Sequence, residues 1–233
     1  MPGSRSLMFD DGSDERLIIR ELDEVRAYLR ELFGVDEKPF LRAERMGWLE
    51  WANRSDFDSP SFPGTLLWGH TVRHERAYFV QHEDWKKDNT NNFPTVVRPD
   101  GEIALVVETG DRFTGRVVPG HQPRTNSRKG AQTMRMIAMN RSQMNLPFPG
   151  DMNGIPLSSD APLLWVHLIN QSGGHIYGEV SLPIVANGHN RIIGWKVRLI
   201  LPRWTNDDDM ANLRANAPTP TGDAEVKIVR RAS

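Results

Sequence analysis

The feature that most constrains this chain is a set of three apolar runs late in the sequence: LLWVHLIN (163–170), HIYGEVSLPI (175–184) and RIIGWKVRLIL (191–201). Each is rich in β-branched and aromatic residues, and each is bounded by Gly, Asn or Pro, which is the pattern of β-strands. Asn187-Gly188 separates the last two and suits the positive φ angles of a tight hairpin turn. A two-residue turn there sets Ala186 opposite His189 and therefore Glu179 opposite Lys196. Ile176, Val180 and Leu182 then share one face of the strand, and His175, Tyr177, Glu179 and Ser181 share the other, together with Lys196 and Arg198 across the hairpin. Trp165, Val180, Leu182, Trp195, Val197 and Leu199 are expected in the core.

The same reasoning extends upstream. TVVR (95–98) and EIALVVE (102–108) flank Pro99-Asp100-Gly101 and read as a hairpin, continued by FTGRVVPG (113–120). TLLWGH (65–70) and AYFVQH (77–82) read as two short strands. Helical spacing appears in three places. Ile18, Leu22, Val25, Leu29 and Leu32 make one apolar stripe between a Ser13 cap and Gly34. A second helix is expected over 36–53, with Pro39 in its first turn. A third is expected from Gly130, where Met134, Ile137, Ala138, Arg141 and Met144 recur on one side.

These elements predict an α+β protein: N-terminal helices, then a mostly antiparallel β-sheet with one inserted helix and a long C-terminal β-hairpin. Residues 1–12 read as a flexible lead-in and 13–203 as a single domain, with a helical start (13–54) and a sheet-rich body (61–203). Residues 204–233 read as a polar extension with a short helix at DDMANLRAN and a late edge strand at EVKIVRR. A doubly wound nucleotide fold is disfavoured because strands and helices do not alternate.

Composition narrows the function classes. With 29 Lys+Arg against 30 Asp+Glu in 233 residues, the chain is no polycation, so any nucleic-acid affinity must be local. The absence of Cys excludes thiol nucleophiles, Cys-bound zinc and iron–sulfur clusters. The first residues carry no apolar core of a secretory signal, and no run reaches membrane-spanning length, so a cytoplasmic protein without a membrane partner is expected.

One stretch is charged on one side only. Between Asp111 and Asp151 the chain has no acid, yet it holds Arg112, Arg116, Arg124, Arg128, Lys129, Arg135 and Arg141. Arg124, Arg128 and Lys129 lie just before the expected 130–145 helix, whose first backbone amides favour an anion. That combination points to nucleic-acid phosphate; the plain alternative is a solvated loop whose cations pair with acids elsewhere. No Phe, Tyr or Trp lies between 114 and 147, so base readout is not expected from this segment.

Two weaker constellations remain. His70, His74 and His82 would suit a metal only on a helix, which the β-type residues between them argue against, so no metal is expected there. Glu179 and Lys196, with Asp160 as a second carboxylate, would make a Mg²⁺-dependent nuclease core; the plain alternative is a cross-strand ion pair on a wet face. Three functions follow. The first is a non-enzymatic nucleic-acid-binding accessory protein without a cofactor. The second is a protein–protein adaptor using the 13–33 amphipathic helix, and the third is the nuclease.

Overall fold

A computed structural model describes residues 16–144 and 161–203. The protein is α+β. One seven-stranded sheet carries helices on both faces, in the strand order β1-β7-β6-β5-β4-β3-β2. The strands are β1 (Leu17–Ile19), β2 (Lys86–Asp88), β3 (Thr95–Val97), β4 (Ile103–Thr109), β5 (Leu163–Ser172), β6 (His175–Ala186) and β7 (Ile192–Ile200). The helices are α1 (Leu22–Phe33), α2 (Lys38–Ala52), α3 (Phe62–His82) and α4 (Ala131–Met144).

The sheet is mixed, not mostly antiparallel. β1 runs parallel to β7 and β4 runs parallel to β5, while the other neighbours are antiparallel. Parallel neighbours need a crossover connection, and the segment between β4 and β5 includes α4. Its presence explains why IALVV and LLWVHLI are continuous buried runs and not alternating ones, since both of their faces are covered. On one face Ile103, Leu105, Trp165, Val180 and Leu199 pack beneath α1–α3 through Leu29, Phe33, Phe40 and Phe79. On the other, Ala104, Val106, Val166 and Trp195 pack against Met136 and Ile137 of α4. All six residues expected in the core are buried.

Several local expectations are corrected. The first helix begins at Leu22, because Leu17–Ile19 pairs as a parallel strand with Val197–Leu199. Of the expected apolar stripe, Val25, Leu29 and Leu32 are buried in the body of the protein, while Ile18 and Leu22 are exposed. TLLWGH and AYFVQH are not strands but parts of one 21-residue helix, α3. Its buried residues Leu67, Thr71, Glu75 and Phe79 recur every four positions, a stripe disguised by two polar members. α2 seats against it at Gly47, where a Cβ would lie 2.2 Å from Thr71 Oγ1. FTGRVVPG forms turns and a lone Val118–His121 bridge, not a strand. α4 buries Thr133, Met136, Ile137 and Asn140, leaving Ala138 and Arg141 exposed.

The terminal hairpin forms, but not in the expected register. The Asn187 side chain accepts from the amides of His189 and Arg191, both at 3.0 Å, and Asn190 takes the positive φ of 57°. The turn is therefore longer, and Ala186 closes against Ile192. Pro183 cannot donate to the ladder, and the pairing shifts again around it. The buried Asn140 amide reaches in to satisfy the Pro183 and Leu164 carbonyls, each at 2.9 Å. As a result Glu179 faces Ile200, and Lys196 falls in the irregularity between Trp195 and Val197. The expected short helix and edge strand beyond residue 203, and Asp160, lie outside the described residues.

Candidate nucleic-acid interface

The basic stretch does not loop into solvent; it is stitched to two parts of the sheet. Asn126 N–H donates to the Thr109 carbonyl at the end of β4 (2.9 Å), and the Asn126 side chain donates to the Gly110 carbonyl (2.8 Å). Lys129 N–H donates to the Asn190 carbonyl of the hairpin turn (2.7 Å), and Thr125 exchanges bonds with Ile192. The Trp195 indole donates to the Pro123 carbonyl (2.8 Å). With so many backbone groups committed, the loop is a fixed wall.

That wall lines a cleft of about 580 Å³ where β4 and β5 end at Glu108–Gly110 and Ile169–Gln171. The cleft opens between the two helical layers. Trp51 of α2 and Leu67 and Trp68 of α3 line one side; Ser127, Arg128, Lys129 and Gly130 line the other. The carboxyl ends of parallel strands are where open sheets with helical crossovers form ligand crevices, and α4 presents its first-turn amides there. A second, smaller cleft of about 310 Å³ shares Asn92, Phe93, Gly130 and Thr133 with the first and adds Arg135.

The seven expected cations separate into distinct roles. Lys129 is buried and bonded to Glu108, with Ser127 Oγ at 2.9 Å as its second acceptor. Burial pushes the Glu108 carboxyl up, against the opposing pull of the Lys129 ammonium. Arg124 does not line the cleft and pairs with Asp111 at 3.4 Å. Arg112 and Arg116 lie over the rings of Phe113 (4.9 Å) and Tyr177 (3.9 Å). Arg128, Arg135 and Arg141 are exposed and have no ion pair with the described residues. The structure thus gathers Arg128, Lys129 and Arg135 around the start of α4 and separates them from Arg124. The acids that neutralise Lys129 and Arg124 stand at or just before the window's edge in sequence and fold back onto it.

The other candidate residues are placed elsewhere. Glu179 is buried, not on a wet face. It accepts from Arg198 Nε (3.0 Å), the Gly115 amide (2.8 Å) and Ser181 Oγ (2.8 Å). Arg198 in turn donates to the Arg116 carbonyl at 3.0 Å, so this buried pair clamps the 111–121 turns onto the sheet. The Glu179–Lys196 pair on which the nuclease reading depends does not form. His70 and His74 do sit on a helix, one turn apart, with their rings 6.4 Å apart; His82 packs on Tyr78 near the helix end. Among the described residues no three His, Asp or Glu side chains gather as a metal site.

Sequence reasoning missed the most buried charged group. His167 on β5 lies between Glu44 of α2, at 2.9 Å from its Nε2, and Glu75 of α3, bonded through Nδ1. All three are at most 1% exposed. Burial lowers the His167 pKa, but the Glu75 and Glu44 carboxylates outweigh it and hold the ring protonated up to about 9. Burial pushes the Glu44 carboxyl up, against the pull of His167. Gly178 makes room for it: a Cβ there would lie 1.7 Å from Glu44 Oε1. The available signal was the four-residue spacing that places Glu75 on the buried stripe of α3.

Fold and site together define an α+β protein with a cleft at the carboxyl ends of two central strands, aromatic on one side and cationic on the other. Compared with family models, with curated proteins and with solved structures, the chain matches none. Among the described residues, no helix is long and apolar enough to cross a membrane.

Proposed function

We propose that this protein is a non-enzymatic accessory protein that binds nucleic acid through phosphate groups, at the cleft where β4 and β5 end. The observation that carries this reading is Arg128, which lines the cleft beside the first turn of α4 without an ion pair to the described residues. A guanidinium fork beside unpaired helix amides suits two phosphate oxygens at once. Lys129 contributes less free charge than its position in the sequence suggests, because Glu108 neutralises it. It instead holds the wall in shape. Arg135, along the shared rim, supplies a second contact.

The test is a fluorescence-anisotropy titration of labelled oligonucleotides at rising salt. Two phosphate contacts predict a log–log salt slope of roughly −1 to −2. Replacing Arg128 by Ala should reduce that slope and weaken binding uniformly across sequences, with thermal stability unchanged. Absence of binding by the parent protein at low salt refutes the reading.

A further inference from the structure

The two walls of the cleft differ in chemistry, and that difference narrows the ligand. Resting on the phosphate-binding reading above, we infer that the cleft takes single-stranded nucleic acid and holds one unpaired base against Trp68 of α3. The indoles are fixed in place. One face of the Trp51 ring is covered by the Arg54 guanidinium, 3.6 Å from its centroid, which leaves the Trp68 ring, held by its N–H bond to the Val107 carbonyl at 3.0 Å, for a base. A part-buried, pre-oriented indole beside an open cleft is a stacking platform that loses little entropy on binding. The opposite wall offers Arg128 and the start of α4 to an anion. A nucleotide has these two parts, a π-face at one end and a phosphate at the other.

A duplex does not fit this arrangement. Its bases are stacked and paired inside, and it shows a narrow cleft only its backbone and groove edges. An unpaired nucleotide presents a base and a phosphate to the two walls of this space of about 580 Å³. The strand also has a direction of exit. The smaller cleft continues past Gly130 and Thr133 to Arg135, so the next phosphate along the chain meets that guanidinium. Stacking on aromatics with backbone contacts to cations is the usual chemistry of single-strand binding with weak sequence preference.

The experiment compares three labelled probes of equal length: a single strand, its duplex, and a single strand of abasic sugar–phosphate. Binding is read by anisotropy and by quenching of the intrinsic Trp fluorescence. The single strand should bind roughly tenfold or more tighter than the abasic strand, with quenching confined to the base-bearing probe. Trp68→Ala should bring the single strand down to the abasic level; Trp68→Phe, which keeps a ring, should fall between. Arg135→Ala should weaken both strands and flatten the salt slope by about 0.7. If abasic and base-bearing strands bind alike, or the duplex binds as tightly as the single strand, the stacking inference is overturned while the phosphate reading stands. If none of the probes binds at low salt, the phosphate reading fails and the inference with it.

Discussion

Two of the charged clusters on this sheet are built by opposite rules. Between the sheet and α2–α3, Glu44, His167 and Glu75 are sealed from water, with the cation held between two carboxylates. At the ends of β4 and β5, Arg128 stands in an open cleft without an ion pair to the described residues, beside a Lys129 that has one. The sealed cluster has its charges answered from within and ties two helices to a strand. The open one leaves a cation for something outside the chain. The difference shows that the number of charges in a segment says little; what matters is which of them the fold has already neutralised.

The largest expected effect falls on the sealed side. Replacing His167 by Leu leaves two buried carboxylates facing each other without their cation, and should cost about 3–5 kcal/mol in denaturant melts. A loss near zero would mean that the cluster contributes nothing to holding the helices on the sheet.

The second effect is a pH dependence with a definite sign. His167 is held protonated up to about 9 in the folded protein, against roughly 6.5 in an unfolded chain. Its stabilising contribution is therefore complete below about pH 6.5 and is lost as pH rises through 9. The Glu44 carboxyl, raised by burial, acts in the same direction over a lower pH range: its contribution is present below the ordinary carboxylate range and is lost as pH rises out of it. Stability should fall by on the order of 3 kcal/mol between neutral and alkaline pH, and the alkaline part of that slope should flatten in the His167→Leu protein.

On the open side the effects move from stability to binding. Arg128→Glu should weaken single-strand binding more than Arg128→Ala does, roughly tenfold at low salt, while changing stability by less than about 0.5 kcal/mol. The smallest effect belongs to Arg124, whose side chain is 57% exposed and paired with Asp111 outside the cleft. Arg124→Ala should change both binding and melting little; an effect on binding as large as that of Arg128 would show that the interface extends over the outer face of the loop.

The sequence by itself determined the elements whose signals are local. The late strands, the 95–108 hairpin, the helix that ends at Gly34, the helix expected over 36–53 and the start of α4 followed from periodicity and turn residues, because these depend on neighbours a few positions away; the start of the first helix, expected from Ser13 and found at Leu22, did not. The six expected core residues followed too, since they lie on apolar strand runs. Only the tertiary structure decided the rest. It made one helix of Phe62–His82, because packing of Gly47 against Thr71 outweighs a weak β preference. It set the hairpin register through the Asn187 side chain and the Pro183 irregularity, moving Glu179 away from Lys196 and onto Arg198. It made the sheet mixed by laying β4 and β5 parallel, which created the cleft at their shared ends. It also brought Trp51 and Trp68 opposite Arg128, residues some 60 to 77 positions apart in the chain. Aromatic rings were missing from the 114–147 segment read alone; those lining the cleft come from another helical layer. Charge pairing and cleft formation depend on distances across the fold, and linear order does not encode those distances locally.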